Sequence, residues 1–324
     1  MDNIFFVNKN ILLVKIRKYY CNNNSNMNII IGILVFCIVL FCYLHIYFHL
    51  KISNDLEVYE LNNPSKYLLE EVCDLRQPVL FEFNNEKLFE CCSRINILDT
   101  YGAFDIKSRN VKDEINMDEE LFIPLPFTST LKVLENDTEN KYLIENNNDF
   151  LEETGLIKSY KYNDNFLRPY MVSNCIYDIL MGSNGTTTPF RYELNYRNYF
   201  LVTEGSMKIK IAPPKSTRYL YEIKDYENME FRSSINPWKV QSQYKQDFDK
   251  VKCLELIVKK GYIMFIPAFW WYTIEFGENT TICSFKYRTY MNNIAILDNI
   301  FKKILQSQNV KRNIVKQIDF KIEK

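Results

Sequence analysis

Residues Gly261 to Glu275 read GYIMFIPAFWWYTIE, and residues Gly185 to Pro214 read GTTTPFRYELNYRNYFLVTEGSMKIKIAPP. Within them FRYEL and KIKIA alternate apolar and polar residues, the period of a strand with one buried face, and YFLV is a short run suited to a strand buried on both. LELIV closes on a Lys-Lys-Gly turn, and YIMFIP and TICSFKY follow at similar spacing. Strands separated by turn residues from about residue 170 to 290 predict a sandwich, barrel or jelly roll. Outward from them, the pattern predicts a helix over 55–76, a short strand PVLFEF from Pro78, an acidic surface loop at 113–120 and an amphipathic helix after Met291 with Ile294, Leu297, Ile300, Phe301, Ile304 and Leu305 on one face.

The quoted stretches resemble the cupin-like JmjC hydroxylases of the asparaginyl-hydroxylase type. That family carries a T-P-x-H-x-D strand, an Asn-aromatic pair, a G-x-K leading to Pro-Pro, and later G-D-x-(hydrophobic)-x-I-P-x-x-W-W-H. PVLFEF is similar to its first strand, and Ile235-Asn236-Pro237 to a loop between its halves. The resemblance, over about residues 64 to 290, implies a mainly β (α+β) fold: a double-stranded β-helix, or jelly roll, with flanking helices.

The family's Fe(II) is held by two His and one carboxylate, leaving positions open for 2-oxoglutarate and O₂. Here the corresponding residues are Arg191, Glu193 and Tyr272. Arginine stays protonated and has no lone pair for a metal. Tyrosine would ligate only as phenolate, against a free pKa of about 10. The chain has two histidines, His45 and His49, both in an apolar segment far from these strands. The expectation is therefore a site without Fe(II), in which Arg191 and Glu193, at i and i+2 on one strand, pair in the space of the metal and Tyr272 closes the cluster.

Thr188, Asn198 and Lys208, or Lys210 one pleat further, match family positions near 2-oxoglutarate and its distal carboxylate. With Arg191 they are read either as a pocket for a small dicarboxylate or other anion, or as retained fold residues. Trp270 and Trp271 are expected to pack the core.

Residues 28–50, NIIIGILVFCIVLFCYLHIYFHL, contain no Asp, Glu, Lys or Arg and are long enough to cross the roughly 30 Å hydrocarbon layer. Lys9, Lys15, Arg17 and Lys18 precede them, and Asp55, Glu57 and Glu60 follow Lys51. This bias predicts a single-pass signal anchor with a cytosolic N-terminal segment, 1–27, and a lumenal or extracytoplasmic body. The body divides into a cupin-like domain, 51–290, and a C-terminal amphipathic helix with a basic tail, 291–324. On the predicted lumenal side, Asn136, Asn184 and Asn279 each begin an N-x-[ST] glycosylation sequon. Cys73, Cys91, Cys92, Cys175, Cys253 and Cys283 are read equally as disulfide partners or as buried thiols.

Lys+Arg and Asp+Glu both number 40 in 324 residues, and this balance argues against nucleic acid as partner. Eight glycines and no phosphate-cradling motif argue against nucleotide binding. The expected partners are the lipid bilayer, a peptide, glycan or protein, and a second copy meeting through the C-terminal helix. Two functions compete: a membrane-anchored pseudo-oxygenase acting in binding or scaffolding, and a 2-oxoglutarate-dependent hydroxylase with a non-standard metal site. A vestigial pocket in a structural membrane protein is a third.

Overall fold

A computed structural model describes residues 27–111, 122–226 and 229–309. The acidic loop and the terminal segments lie outside the described residues. Two compact units result, residues 1–50 and residues 51–324. The first contains helix α1, Met27–Leu50, long and apolar enough to cross a membrane.

The second unit opens with β1 (Tyr59–Leu61), α2 (Lys66–Cys73), β2 (Val79–Glu82), α3 (Glu86–Cys91), α4 (Arg94–Tyr101), β3 (Asp105–Asn110), β4 (Ile123–Pro126) and α5 (Phe127–Asn136). It continues through β5 (Tyr142–Ile144), α6 (Asn148–Glu153), α7 (Ile157–Asn163), β6 (Val172–Gly182), β7 (Arg191–Tyr192), β8 (Arg197–Glu204) and β9 (Ser206–Ala212). It ends with β10 (Glu222–Asp225), β11 (Glu230–Ser233), α8 (Lys245–Phe248), β12 (Leu254–Lys259), β13 (Tyr262–Ile266), β14 (Trp271–Phe276), β15 (Thr281–Thr289), α9 (Tyr290–Ala295) and α10 (Leu297–Asn309). The expected helix over 55–76 is thus shorter. Tyr59–Leu61 pair in parallel with Val79–Phe81, and the helix starts only where the Ser65 hydroxyl caps Leu68 N–H.

Nine strands form one sheet, in the order β1-β2-β13-β8-β15-β6-β5-β3-β4. Six form the other, in the order β10-β11-β7-β14-β9-β12. Together they make the expected jelly roll with flanking helices. Gly205, at φ 68°, turns β8 into β9 where a Cβ would lie 2.7 Å from the Glu278 carbonyl oxygen.

Three apolar clusters hold the layers. The first packs the outer face of the larger sheet, through Tyr177, Ile179 and Phe285, under α2 to α7. The second fills the space between the sheets with Phe200, Met207, Ile209, Ile211, Ile274 and Phe276. The third gathers Phe190, Tyr192, Phe231 and Trp271 around Leu220, and Ile296 and Ile300 pack on it. Trp270 and Trp271 are fully buried, and their indole N–H groups donate to the Arg76 carbonyl and the Thr217 hydroxyl, so both are core residues. The expected C-terminal stripe is split: Ile300 packs on the body, whereas Leu297, Phe301, Ile304 and Leu305 are exposed. The described cysteines, including all six of the body, are free thiols.

Candidate functional site

Residues directly opposite each other in antiparallel strands face the same side. Across the smaller sheet Arg232, Arg191, Tyr272, Ile211 and Leu254 therefore form one inward row. The next rows inward are Ile274, Ile209 and Leu256, then Phe276, Met207 and Val258. On the larger sheet, Lys286 lies opposite both Ile176 and Asn198, and Ser284 opposite both Asp178 and Phe200. One end of the interior is thus lined with charge and the other with hydrocarbon.

Arg191 is bound at the charged end by two carboxylates. Its Nη2 donates to Glu145 Oε2 at 2.7 Å, and its Nη1 donates to Glu145 Oε1 at 3.3 Å and Glu230 Oε1 at 2.9 Å. Glu145 also pairs with Arg109, and both side chains are almost wholly buried. The expected Arg191–Glu193 pair does not form; Arg191 engages carboxylates from the β5–α6 connection and β11 instead. Glu193, just beyond β7, accepts the Tyr272 hydroxyl at 2.5 Å and Lys286 Nζ at 2.9 Å on Oε1, and Asn195 Nδ2 at 2.7 Å on Oε2. Tyr272 thus bonds to Glu193 rather than closing an Arg191–Glu193 pair, and its ring centre lies 5.8 Å from the Arg191 guanidinium carbon.

Electrostatics fix the protonation states. Burial alone would raise the Glu145 carboxyl, but Arg109 and Arg191 outweigh it and hold it well below the usual carboxylate range. Burial would likewise raise Glu193, but Lys286, Arg191 and the Tyr272 hydroxyl pull it down. Burial and then the Glu193 charge push Tyr272 well above the ordinary phenol value, so it stays a neutral donor.

The connection carrying Glu145 is itself anchored. Asp178 accepts Asn146 N–H and Asn147 N–H, each at 2.8 Å, and Asn147 exchanges hydrogen bonds with the Lys107 backbone on β3. Burial raises Asp178 to about 6, against partial compensation by Lys286 and the two amides.

These residues do not fit the family's Fe(II). Two of the three ligand positions are a cation and a neutral phenol, and the carboxylate at the third is engaged by an ammonium and a hydroxyl. A divalent ion would have to displace Lys286 and sit beside Arg191.

The co-substrate positions do not converge. The Thr188 hydroxyl accepts Ile274 N–H at 2.9 Å. Buried Asn198 donates to the Ile266 carbonyl and accepts from Asn195. Lys208 and Lys210 lie on the outer face of the smaller sheet, because Met207, Ile209 and Ile211 take the inward pleats. Lys208 pairs with Glu275 at 3.0 Å, and Lys210 pairs with Glu255 and lies 4.3 Å from the Trp238 ring. The sequon residues Asn136, Asn184 and Asn279 are all exposed.

Sequence reasoning missed Glu145, Arg109, Glu230, Asp178 and Lys286. Only Lys286 had a usable signal: in TICSFKYR it shares the inward parity of Ile282 and Ser284.

The profile of the family described as "Cupin-like domain" matches residues 98–293, more than half of the chain. Among curated proteins, HSPB1-associated protein 1 of Rattus norvegicus is 25% identical over 103 residues, which are 32% of this chain and 22% of that protein. The proteins of the same name from Mus musculus and Homo sapiens match at 25% over 103 residues, 32% of this chain and 21% of each relative. The chain thus spans less than a quarter of the length of the curated relatives it matches.

Proposed function

The chain belongs to the cupin-like domain family, and from that premise we propose that it is a membrane-anchored, non-catalytic member that binds or scaffolds a peptide, glycan or protein. The supporting observation is the double occupation of the metal position: Arg191 is bound by Glu145 and Glu230, and Glu193 by Lys286 and Tyr272. Internal ion pairs occupy Arg191 and Glu193, so a metal at this position would have to displace them. The preserved jelly roll then serves as a rigid body whose surface carries the function.

The same reading places α1 in the bilayer, the basic N-terminal segment in the cytosol and the body on the lumenal or extracytoplasmic side. It is supported by the charge asymmetry about α1 and by the exposure of three sequon asparagines.

The activity test uses the purified full chain with Fe(II), ascorbate, O₂ and 2-oxoglutarate. The expected result is substoichiometric iron and no succinate above a heat-denatured control. Stoichiometric iron with succinate formation establishes the hydroxylase reading instead.

A further inference from the structure

Several of the most exposed apolar side chains of the body form a connected series. Tyr170 and Met171, 74% and 70% exposed, end the segment between α7 and β6. Lys66 of α2 donates to the Asn165 carbonyl and lies 5.4 Å from the Tyr170 ring centre. The Tyr290 N–H donates to the Met171 carbonyl, which brings the start of α9 against that segment. The exposed side chains Tyr290 and Ile294 of α9 then lead into Leu297 and Phe301 of α10. Lys302, ion-paired with Asp298 at 2.6 Å, borders this stripe on α10, and the 310–324 sequence adds five basic residues against two acidic ones. Aromatic and aliphatic groups edged with lysine are the composition of a surface that rests in a headgroup layer.

The chain carries its own candidate for that layer. Asn54 accepts Lys215 N–H, so the ordered body begins four residues beyond α1, a stretch that reaches at most about 14 Å. The turn Pro214–Tyr219 runs into Leu220, a member of the apolar cluster on which Ile296 and Ile300 pack. The turn that holds Asn54 thus runs into the cluster on which α9 and α10 pack, and tethering raises the effective concentration of bilayer at the body.

We propose that Tyr170, Met171, Tyr290, Ile294, Leu297 and Phe301 form a membrane-resting face that seats the body on the bilayer holding α1. This rests on the membrane-anchor reading above. The lipid surface covers the stripe that would otherwise pair two copies through α10.

The test places photoreactive benzoylphenylalanine at Phe301, Met171 or Ile257 of the full chain, reconstituted into phosphatidylcholine vesicles containing phosphatidylserine. Ile257, on the edge strand β12, is 59% exposed against 57% for Phe301 and serves as a matched control. The expected result is lipid adducts at Phe301 and Met171 and their loss at Ile257. Absence of lipid adducts from all three positions overturns the proposal, as does equal yield at Ile257. Chain-to-chain adducts at Phe301 overturn it in favour of a second copy. Release of the chain from vesicles by alkaline wash shows instead that the anchor reading has failed, and this proposal with it.

Discussion

Tyr272 and Ile274 are two residues apart on β14 and face the same interior, yet they stand in opposite chemistries. Around Tyr272 lie Arg191, Glu193, Glu145 and Lys286; around Ile274 lie Ile209, Phe276 and Leu256. At the first end Arg191, Glu193 and Tyr272, which correspond by resemblance to the family's metal ligands, take part in a set of buried ion pairs and hydrogen bonds. At the second, the inward pleats of β9, which lies between β14 and β12, carry hydrocarbon. The difference teaches that one interior can be held together in two ways, and the two are distinguishable by mutation. An ionic network fails when one member is removed, because the others stay buried and uncompensated. A hydrocarbon plug fails in proportion to the volume removed.

The largest effect is expected at the ionic end. Glu145→Ala takes from Arg109 and Arg191, both nearly inaccessible, the carboxylate they share, and is expected to cost about 3–5 kcal/mol in chemical denaturation. A loss below about 1 kcal/mol would show that water already compensates these charges and that the network does not hold the region together. At the hydrocarbon end, Ile209→Ala is expected to cost about 2–4 kcal/mol, through lost burial and a residual cavity between the sheets. A near-neutral result would mean that the space between the sheets collapses freely.

A pH series separates the two ends further. Asp178 is raised to about 6, above its ordinary 3.8, so its folded form favours the proton. Its contribution to stability is full below the ordinary value and is lost as pH rises through about 6. Glu145 is lowered, so its contribution is present above its ordinary 4.5 and is lost as pH falls through the lowered value. The melting temperature is expected to rise as pH is lowered from 7 to about 5 and to fall in stronger acid. Asp178→Asn should flatten the first limb alone, and an unchanged limb would remove Asp178 as its source. The smallest effect is expected outside both ends: Lys208→Ala, on the outer face, should leave the melting curve superimposable on that of the parent protein.

Much of this comparison was legible before any coordinates. The I-P-x-x-W-W element and the alternating strands led directly to the jelly roll, and the resemblance singled out Arg191, Glu193 and Tyr272, which the structure gathers at one buried end of the interior. The partners of Arg191 were not legible. Glu145 is 46 residues away in a connection after a three-residue strand, and Glu230 is 39 residues away across another strand pair. Nothing local in either segment marks a partner for a buried guanidinium. The placement of Lys208 and Lys210 illustrates a readable signal taken the wrong way. In MKIKIA the isoleucines claim the inward pleats, so the lysines between them face out. The shorter helix near residue 66 has a local cause, since Pro64 and the Ser65 cap delay its start.

The central claim is that ion pairs have replaced the metal at Arg191, Glu193 and Tyr272. Manganese electron paramagnetic resonance on the purified full chain tests it most directly, because Mn²⁺ reports occupancy of an oxygen- and nitrogen-lined site without turnover. The free-ion signal is predicted to stay at full intensity when protein is added in excess, with or without 2-oxoglutarate. Loss of one equivalent of free-ion signal per chain, abolished by Glu193→Ala, would contradict it.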